Sequence, residues 1–586
     1  MVEEGLEKRM SRLSPSDASR CYPFLLGASA AWLHAPSSPT RASIGVVLYP
    51  GLARDGRWTH RHLRVFAEQL AAAGHLVIRF DYPAFGDSAG DASDDDVLPA
   101  WISTGRAAAD KLLALGAERI AFGGFRLGAT IAALSAMSGD ILMLLSPVIS
   151  GRSWISRLSL LSGHWQAEGQ ARAGGGLDAD GVILSAATCA SLSKVDLNQT
   201  PERLPATILA TSGRAGEQLA ANLADRCDGF EHIDFPGYKE AFEDALLNEA
   251  PDALFAALIQ RLAAWSSPVS NGPIPAPAPP ELTGEGWEEA FVALRPAGWS
   301  TELYGNLARP LAGVTSASRG LIFLNTGGDP RSGVGRFSVQ ASRRLAAAGH
   351  VCLRFDFSGL GDSPEPEGVR RVHAYETPRL AEIEAALRRV AAEGVTDISL
   401  FGVSAGAFHA FHTALTHSAL KGAFCVSQVE YIWRPGAKVL VSGNGWRLST
   451  RHYLTGALRA SSWKRVLTGE APLSRVTKDL VVNFAASWAS GGVRREKRNL
   501  LRGLAKASSR GGRIHCVVGT RDPALGALET LFGLGGRLLT RSKGMTVMIN
   551  EDIDHGLVYK NSRDIAFHEL CRWLDPANTH LGSVLD

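Results

Sequence analysis

The sequence predicts an α/β protein made of two tandem units, each a doubly wound, mostly parallel sheet with an inserted cap. Two observations predict it. The stretch "LAAAGHLVIRFDYPAFGDS" at 70–88 returns as "LAAAGHVCLRFDFSGLGDS" at 345–363, and "GVVLYPG" from Gly45 returns as "GLIFLNTG" from Gly320, both at a constant offset of 275 residues. A period of that size is a duplicated domain rather than a short solenoid repeat. Within each copy, short apolar runs alternate with segments of helical spacing, the pattern of strands feeding crossover helices.

The elements follow in order. "GVVLYP" and "HLVIRFDY" are continuous apolar runs, suited to parallel strands buried on both faces. "HLRVFAEQLAAAG" and "FSVQASRRLAAAG" have helical spacing and end on a glycine that can close the helix. "RIAFGGF" and "DISLFGVS" are again strands, each running into a glycine-framed turn and an alanine-rich helix. The segments at roughly 150–205 and 430–511 exceed a minimal strand–helix unit and are expected to be caps. "SSPVSNGPIPAPAPPEL", 266–282, reads as a proline-rich extended spacer. The expected division is therefore a first domain over 1–265, a linker over 266–282 and a second domain over 283–586.

The chain has 586 residues, 45% of them hydrophobic and 20% charged, which is globular composition for more than one domain. Its seven cysteines are scattered without a CxxC or a His/Cys cluster, so neither a structural metal nor a disulfide framework is expected. No stretch approaches a membrane helix. "CYPFLLGASAAWLHA", 21–35, has the look of an export signal core, but mixed Glu, Asp, Arg and Lys precede it instead of a basic leader. A strand is the better reading, and the expected location is cytoplasmic.

Gly402-Val403-Ser404-Ala405-Gly406 fits the GxSxG nucleophile elbow, in which a serine tips a sharp strand-to-helix turn. The helix N-terminus behind it favours a developing oxyanion. Serine needs a base, and the base an orienting acid; on such folds they follow in the order acid, then histidine. "RIHCVVGTRDPAL" offers a strand and then Asp522, and "GMTVMINEDIDHGL" a strand and then His555. His409, His412 and His515 fall within elements, while Asp552 and Asp554 are rival acids on the histidine's own loop. Oxyanion donors are expected from the Ala405 amide and from Gly328 or Asp329 in "NTGGDP". The shared "FSGLGDS" turn, 357–363, is read as structural support.

Both halves resemble α/β-hydrolases of the serine aminopeptidase-like, lysophospholipase-like group, and in particular the hydrolases associated with exosortase and exopolysaccharide gene clusters. "GFRLGA" with "SPVISGRSWISRL" and "GVILSAATCASLSKVDL" is similar to one branch, and "FGVSAGA" with "YIWRPG" and "ASWKRVLTGE" to another. The resemblance implies a carboxylesterase- or thioesterase-like serine hydrolase acting on an ester or related acyl bond, with no cofactor. An acyltransferase using the same triad is the enzymatic alternative, and a binding or assembly protein the non-enzymatic one.

The first half departs from the pattern at every catalytic position. Its elbow, "GGFRLGA", carries Arg126, and alignment sets Ala215 against Asp522 and Tyr238 against His555. A guanidinium cannot serve as nucleophile or base at neutral pH, so this half is expected to be non-catalytic. Arg126 is left with two roles, pairing with a local acid such as Asp87 or Asp81, or binding an anion. Charge is also uneven. Arg434–Arg513 holds 17 Lys/Arg against Glu470, Asp479 and Glu496, in a chain whose net charge is only +3. Such a basic cap suggests steering of an anionic substrate: an acidic polysaccharide, an acyl-phosphopantetheine or coenzyme A thioester, or an anionic lipid. No nucleic-acid module accompanies it. The two halves are expected to pack together within the chain.

Overall fold

"CYPFLLGASAAWLHA" folds as a hairpin: β1 (Ser19–Leu26) and β2 (Ser29–Pro36) pair antiparallel about Gly27, whose φ of +62° suits a residue without a side chain. The computed structural model describes residues 19–38, 40–92, 95–163, 176–199, 203–270, 274–311, 319–366, 369, 374–375, 379–433 and 491–575. The chain divides into two units, Met1–Leu282 with Leu360–Asp362, and Thr283–Gly359 with Ser363–Asp586.

In the first unit the hairpin leads into β3 (Ile44–Tyr49), β4 (Val77–Phe80), β5 (Arg119–Phe125), β6 (Ile141–Leu145), β7 (Ala206–Thr211) and β8 (Phe230–Asp234). The sheet order is β1-β2-β4-β3-β5-β6-β7-β8. β2 and β4 are antiparallel, and every pairing from β4 onward is parallel. Successive residues of β3 enter opposite cores: Ile44, Val46 and Leu48 join one cluster, Val47 and Tyr49 the other. That is the physical reason these strands read as unbroken apolar runs. Helix α1 (Ala53–Ala72) covers one face with Leu63, Phe66 and Leu70. Helix α2 (Leu127–Ser135) is small enough in its side chains to be buried almost all round.

The second unit repeats this plan with β9 (Glu281–Gly284), β10 (Trp287–Leu294), β11 (Leu303–Pro310), β12 (Gly320–Phe323), β13 (Val351–Phe355), β14 (Ile398–Val403), β15 (Leu420–Val426), β16 (Arg513–Gly519) and β17 (Met545–Asn550). Its order is β9-β10-β11-β13-β12-β14-β15-β16-β17. Apart from β9 this is the first unit's order, so the fold is two tandem α/β-hydrolase-type sheets. Both swap their third and fourth strands and set the loops after β5 and β14, β7 and β16, β8 and β17 at the carboxyl edge, where α/β sheets place their sites.

The repeated "GDS" turn has the same bonding in both units. Ser88 Oγ donates to the Asp81 carbonyl at 3.0 Å and accepts the Ala30 amide at 3.0 Å. Ser363 Oγ donates to the Asp356 carbonyl at 2.7 Å and accepts the Tyr304 amide at 2.9 Å. Each serine bolts its turn to the neighbouring strand, a supporting role.

The first cap contains helix α3 (Gly151–Gly163), a short hairpin of Leu177–Ala179 with Val182–Leu184, and a helix at Ala186–Ser193. Of the second cap, 434–490 lies outside the described residues; its last part is helix α4 (Gly491–Ser509). The expected spacer is more ordered than its composition suggests: Pro268–Ser270 pairs antiparallel with Thr40–Ala42, and Glu281 already opens β9. Proline needs no donor on an edge strand, which is why this segment can pair. Among the described residues no helix is long and apolar enough to cross a membrane.

Candidate active site

Ser404 sits between β14 and helix α5 (Ala405–Thr416) with φ 53° and ψ −109°. A non-glycine residue held there costs about 1–3 kcal/mol, which surrounding packing must outweigh. Its neighbours show how. A Cβ on Gly402 would lie 2.2 Å from the Gly406 carbonyl carbon, and one on Gly406 2.5 Å from the Asn325 carbonyl oxygen. The glycines let strand and helix close around the serine. Its amide donates to the Val426 carbonyl at 2.9 Å, fixing the turn to the next strand.

His555 follows β17 and lies with its ring between the other two residues. Nε2 is 3.1 Å from Ser404 Oγ, and Nδ1 is 2.9 Å from Asp522 Oδ1. Asp522 is buried, and it also caps helix α6 (Pro523–Phe532): the Ala524 amide donates to the same Oδ1 at 2.9 Å, with Pro523 at the first helical position. Its other oxygen, Oδ2, is buried with no hydrogen-bond partner among the described residues.

The rival groups are occupied elsewhere. Asp554 accepts the Gly556 amide at 3.1 Å and the Val558 amide at 2.8 Å, shaping the histidine loop. Asp552 is exposed, its amide donating to Asn550. His409 is buried against the Ala374 carbonyl at 2.7 Å, and burial pushes its pKa down to about 3. His412 meets the Tyr431 carbonyl at 3.0 Å, and His515 meets Thr546 at 2.6 Å.

The oxyanion expectations divide. Ala405 is the first residue of α5, so its amide has no acceptor within the helix. Asp329 is a correction: its amide already donates to the Thr326 carbonyl at 2.9 Å, closing the "NTGGDP" turn. That turn is held from below, where Asn325 Nδ2 donates to the Asp329 carbonyl at 2.9 Å and to Asp356 at 2.8 Å. Gly328 stands beside it in the same loop. Sequence reasoning missed Tyr375, a buried tyrosine near Ser404 whose phenol burial pushes up to about 12. The ring stacks on Trp433 at 5.1 Å. Tyr375 carries no motif and lies outside the repeat, so only its folded position brings it to notice.

The first unit keeps the elbow and changes its tip. Arg126 has φ 55° and ψ −122°, nearly the torsions of Ser404. A Cβ on Gly124 would lie 2.6 Å from the Tyr49 carbonyl, and one on Gly128 2.5 Å from that of Pro50. Equivalent strand bonds, Ser146 amide to Ala210 carbonyl and Ser427 amide to Val517 carbonyl, each 2.8 Å, put Ala215 opposite Asp522 by residue count. Arg126, Ala215 and Tyr238 line one cavity. The acid paired with Arg126 is neither Asp81 nor Asp87 but Asp55, in the first turn of α1, with Oδ2 3.1 Å from Nε. Asp81 and Asp87 belong to the turn below, where the Asp87 amide donates to Asp81 at 2.9 Å.

No family model matches the chain, and no curated protein matches it. Solved structures similar to parts of it include α/β hydrolase domain-containing protein 10 from mouse, at 13% identity and TM-score 0.27 over 49% of this chain and 99% of that one. An esterase from Pyrococcus furiosus aligns at 14% identity and TM-score 0.31 over 51% of this chain and 97% of its own. An S-formylglutathione hydrolase from Agrobacterium tumefaciens aligns at 12% identity and TM-score 0.31, over 50% and 98%. Similarity at this level assigns no activity; the strand order and the residues above carry the argument.

Proposed function

We propose that the second unit is a serine hydrolase that cleaves an ester or related acyl bond through Ser404, His555 and Asp522. One observation carries the reading: the unbroken hydrogen-bond path from Ser404 Oγ through His555 to Asp522, with steps of 3.1 and 2.9 Å. Ser404 Oγ attacks the acyl carbon as its proton passes to His555 Nε2. Asp522 holds Nδ1–H and steadies the imidazolium. The tetrahedral intermediate collapses, and the leaving group departs with the proton from Nε2. Water then gives a proton to Nε2 as its oxygen attacks the acyl-enzyme carbon. Collapse of this second intermediate returns the proton to Ser404 and releases the acid.

The oxyanion is met by the Ala405 amide, with the Gly328 amide or the Tyr375 hydroxyl as second donor. The substrate we expect is an anionic acyl compound, glycan- or lipid-linked. The supporting feature is the basic segment, whose described helix α4 sets Arg495, Arg498, Arg502 and Lys506 on its exposed face opposite buried Leu500, Leu504 and Ala507. The first unit takes no part in bond cleavage, because none of Arg126, Ala215 and Tyr238 can replace the triad.

A fluorophosphonate probe tests both statements. Mass spectrometry should find one adduct per chain, on the peptide bearing Ser404, and none in Ser404→Ala. Unchanged labelling of that variant would remove Ser404 as nucleophile, and an adduct within 19–270 would end the non-catalytic reading of the first unit.

A further inference from the structure

The first unit keeps a strained elbow after losing the serine that such a turn serves. Arg126 stands at its tip with the torsions of a nucleophile, in packing that still demands both flanking glycines. The cavity in front of it measures about 470 Å³, the size of a small-molecule site. Arg126 and Arg157 line it, and no carboxylate among the described residues does. Serine hydroxyls and the buried face of Trp154 make up much of the remaining wall.

The charges behind this wall do not balance. Among the described residues, Asp55 is the one carboxylate paired with both guanidinium groups, with Oδ2 3.1 Å from Arg126 Nε and 3.6 Å from an Arg157 nitrogen. Two cations share one anion, and the N-terminal end of α2 adds positive partial charge beside Arg126. Arg126 is also oriented: Nη1 donates to the Ser146 carbonyl and to Ser146 Oγ, both at 3.2 Å. These bonds and Asp55 occupy Nε and Nη1, and no bond from Nη2 is seen among the described residues. Arg157, half exposed and in a longer contact, has room to turn toward a ligand.

We infer that this cavity binds a small organic anion, its carboxylate or phosphate between Arg126 and Arg157 and its apolar body against Trp154. One added negative charge would match the second cation. A guanidinium suits such a group because its planar donors meet two oxygens at once. The site makes and breaks no bond, and it is independent of chemistry at Ser404.

The test is isothermal titration of the full chain, at low ionic strength, with inorganic phosphate in one arm and benzoate in the other. At least one should bind saturably, one per chain, with a Kd below about 10 mM, the weak end of measurable affinity. The arm that binds tells phosphate from carboxylate recognition. Arg126→Met and Arg157→Met should each weaken binding about tenfold or more, whereas Asp55→Asn, which removes the competing carboxylate, should tighten it. Circular dichroism confirms that each variant is folded. If Arg126→Met does not fold, Arg157→Met reads the same site from a half-exposed position. No binding of either anion, or wild-type affinity in the folded arginine variants, overturns the inference.

Discussion

Asp522 does two jobs with one oxygen, accepting from the Ala524 amide and from His555. The two can be separated. In Asp522→Asn the side-chain oxygen still caps α6, but the new amide has no charge to hold the imidazolium and can favour the wrong tautomer. Activity should fall by about 10⁴, the loss known for an Asp-to-Asn change in a serine triad, with a nearly unchanged unfolding midpoint. Asp522→Ala should lose activity similarly and in addition about 1 kcal/mol of stability with the cap. Chemical denaturation alongside ester turnover checks both. Equal stability of the two variants would mean that the cap is worth nothing here. Ser404, Asp522 and His555 were legible as candidates in the sequence because each follows a strand signal at a spacing that triad chemistry would require. Tyr375 was not, since no motif or repeat in the sequence announces it.

The two elbows show what an element demands of its sequence. Gly406 and Gly128 meet backbone carbonyl oxygens, of Asn325 and Pro50, at 2.5 Å from a would-be Cβ. Backbone cannot rotate away as a side chain can, so alanine must push strand and helix apart. Gly406→Ala and Gly128→Ala should each lower stability by about 1–3 kcal/mol, as overpacking of a tight core does. Only the first should also abolish fluorophosphonate labelling, because only that elbow presents a serine. Thermal melts read against labelling check the pair, and a neutral Gly128→Ala would show that the first elbow no longer needs its close packing. The strand-helix alternation and the glycine frame were visible in the sequence. The pairing of Pro268–Ser270 with Thr40–Ala42 was not, because proline-rich composition describes a segment's conformation but not its partner.

At the scale of the whole molecule, a buried ion-pair group in the second unit ties stability to pH. In the second unit Glu289 is buried between Arg354, at 2.5 Å, and Arg343, at 2.8 Å. Burial pushes its pKa up, but the two guanidinium groups outweigh this and hold it at about 2, against an ordinary 4.5. A depressed pKa stabilises the folded state above the unfolded value, and the contribution is lost as pH falls from about 4.5 toward 2. Urea midpoints should therefore drop over that range. Glu289→Gln should flatten the drop and cost about 3–5 kcal/mol at neutral pH, because it leaves buried arginines without their carboxylate. An unchanged acid profile in this variant would remove Glu289 as its source.

The sequence by itself determined that the chain is duplicated, that each copy is an α/β sheet, and which three residues could form a triad in one copy and not in the other. These follow from local rules: periodicity, glycine-framed turns, and side-chain chemistry placed after strands. Only the tertiary structure decided that Asp522 rather than Asp554 reaches His555, that Asp329 spends its amide on its own turn, and that Arg126 faces Asp55 across 71 residues of chain. Those outcomes depend on which loops the strand order brings to one sheet edge. Contact between residues distant in sequence is fixed by packing, and packing has no local signature.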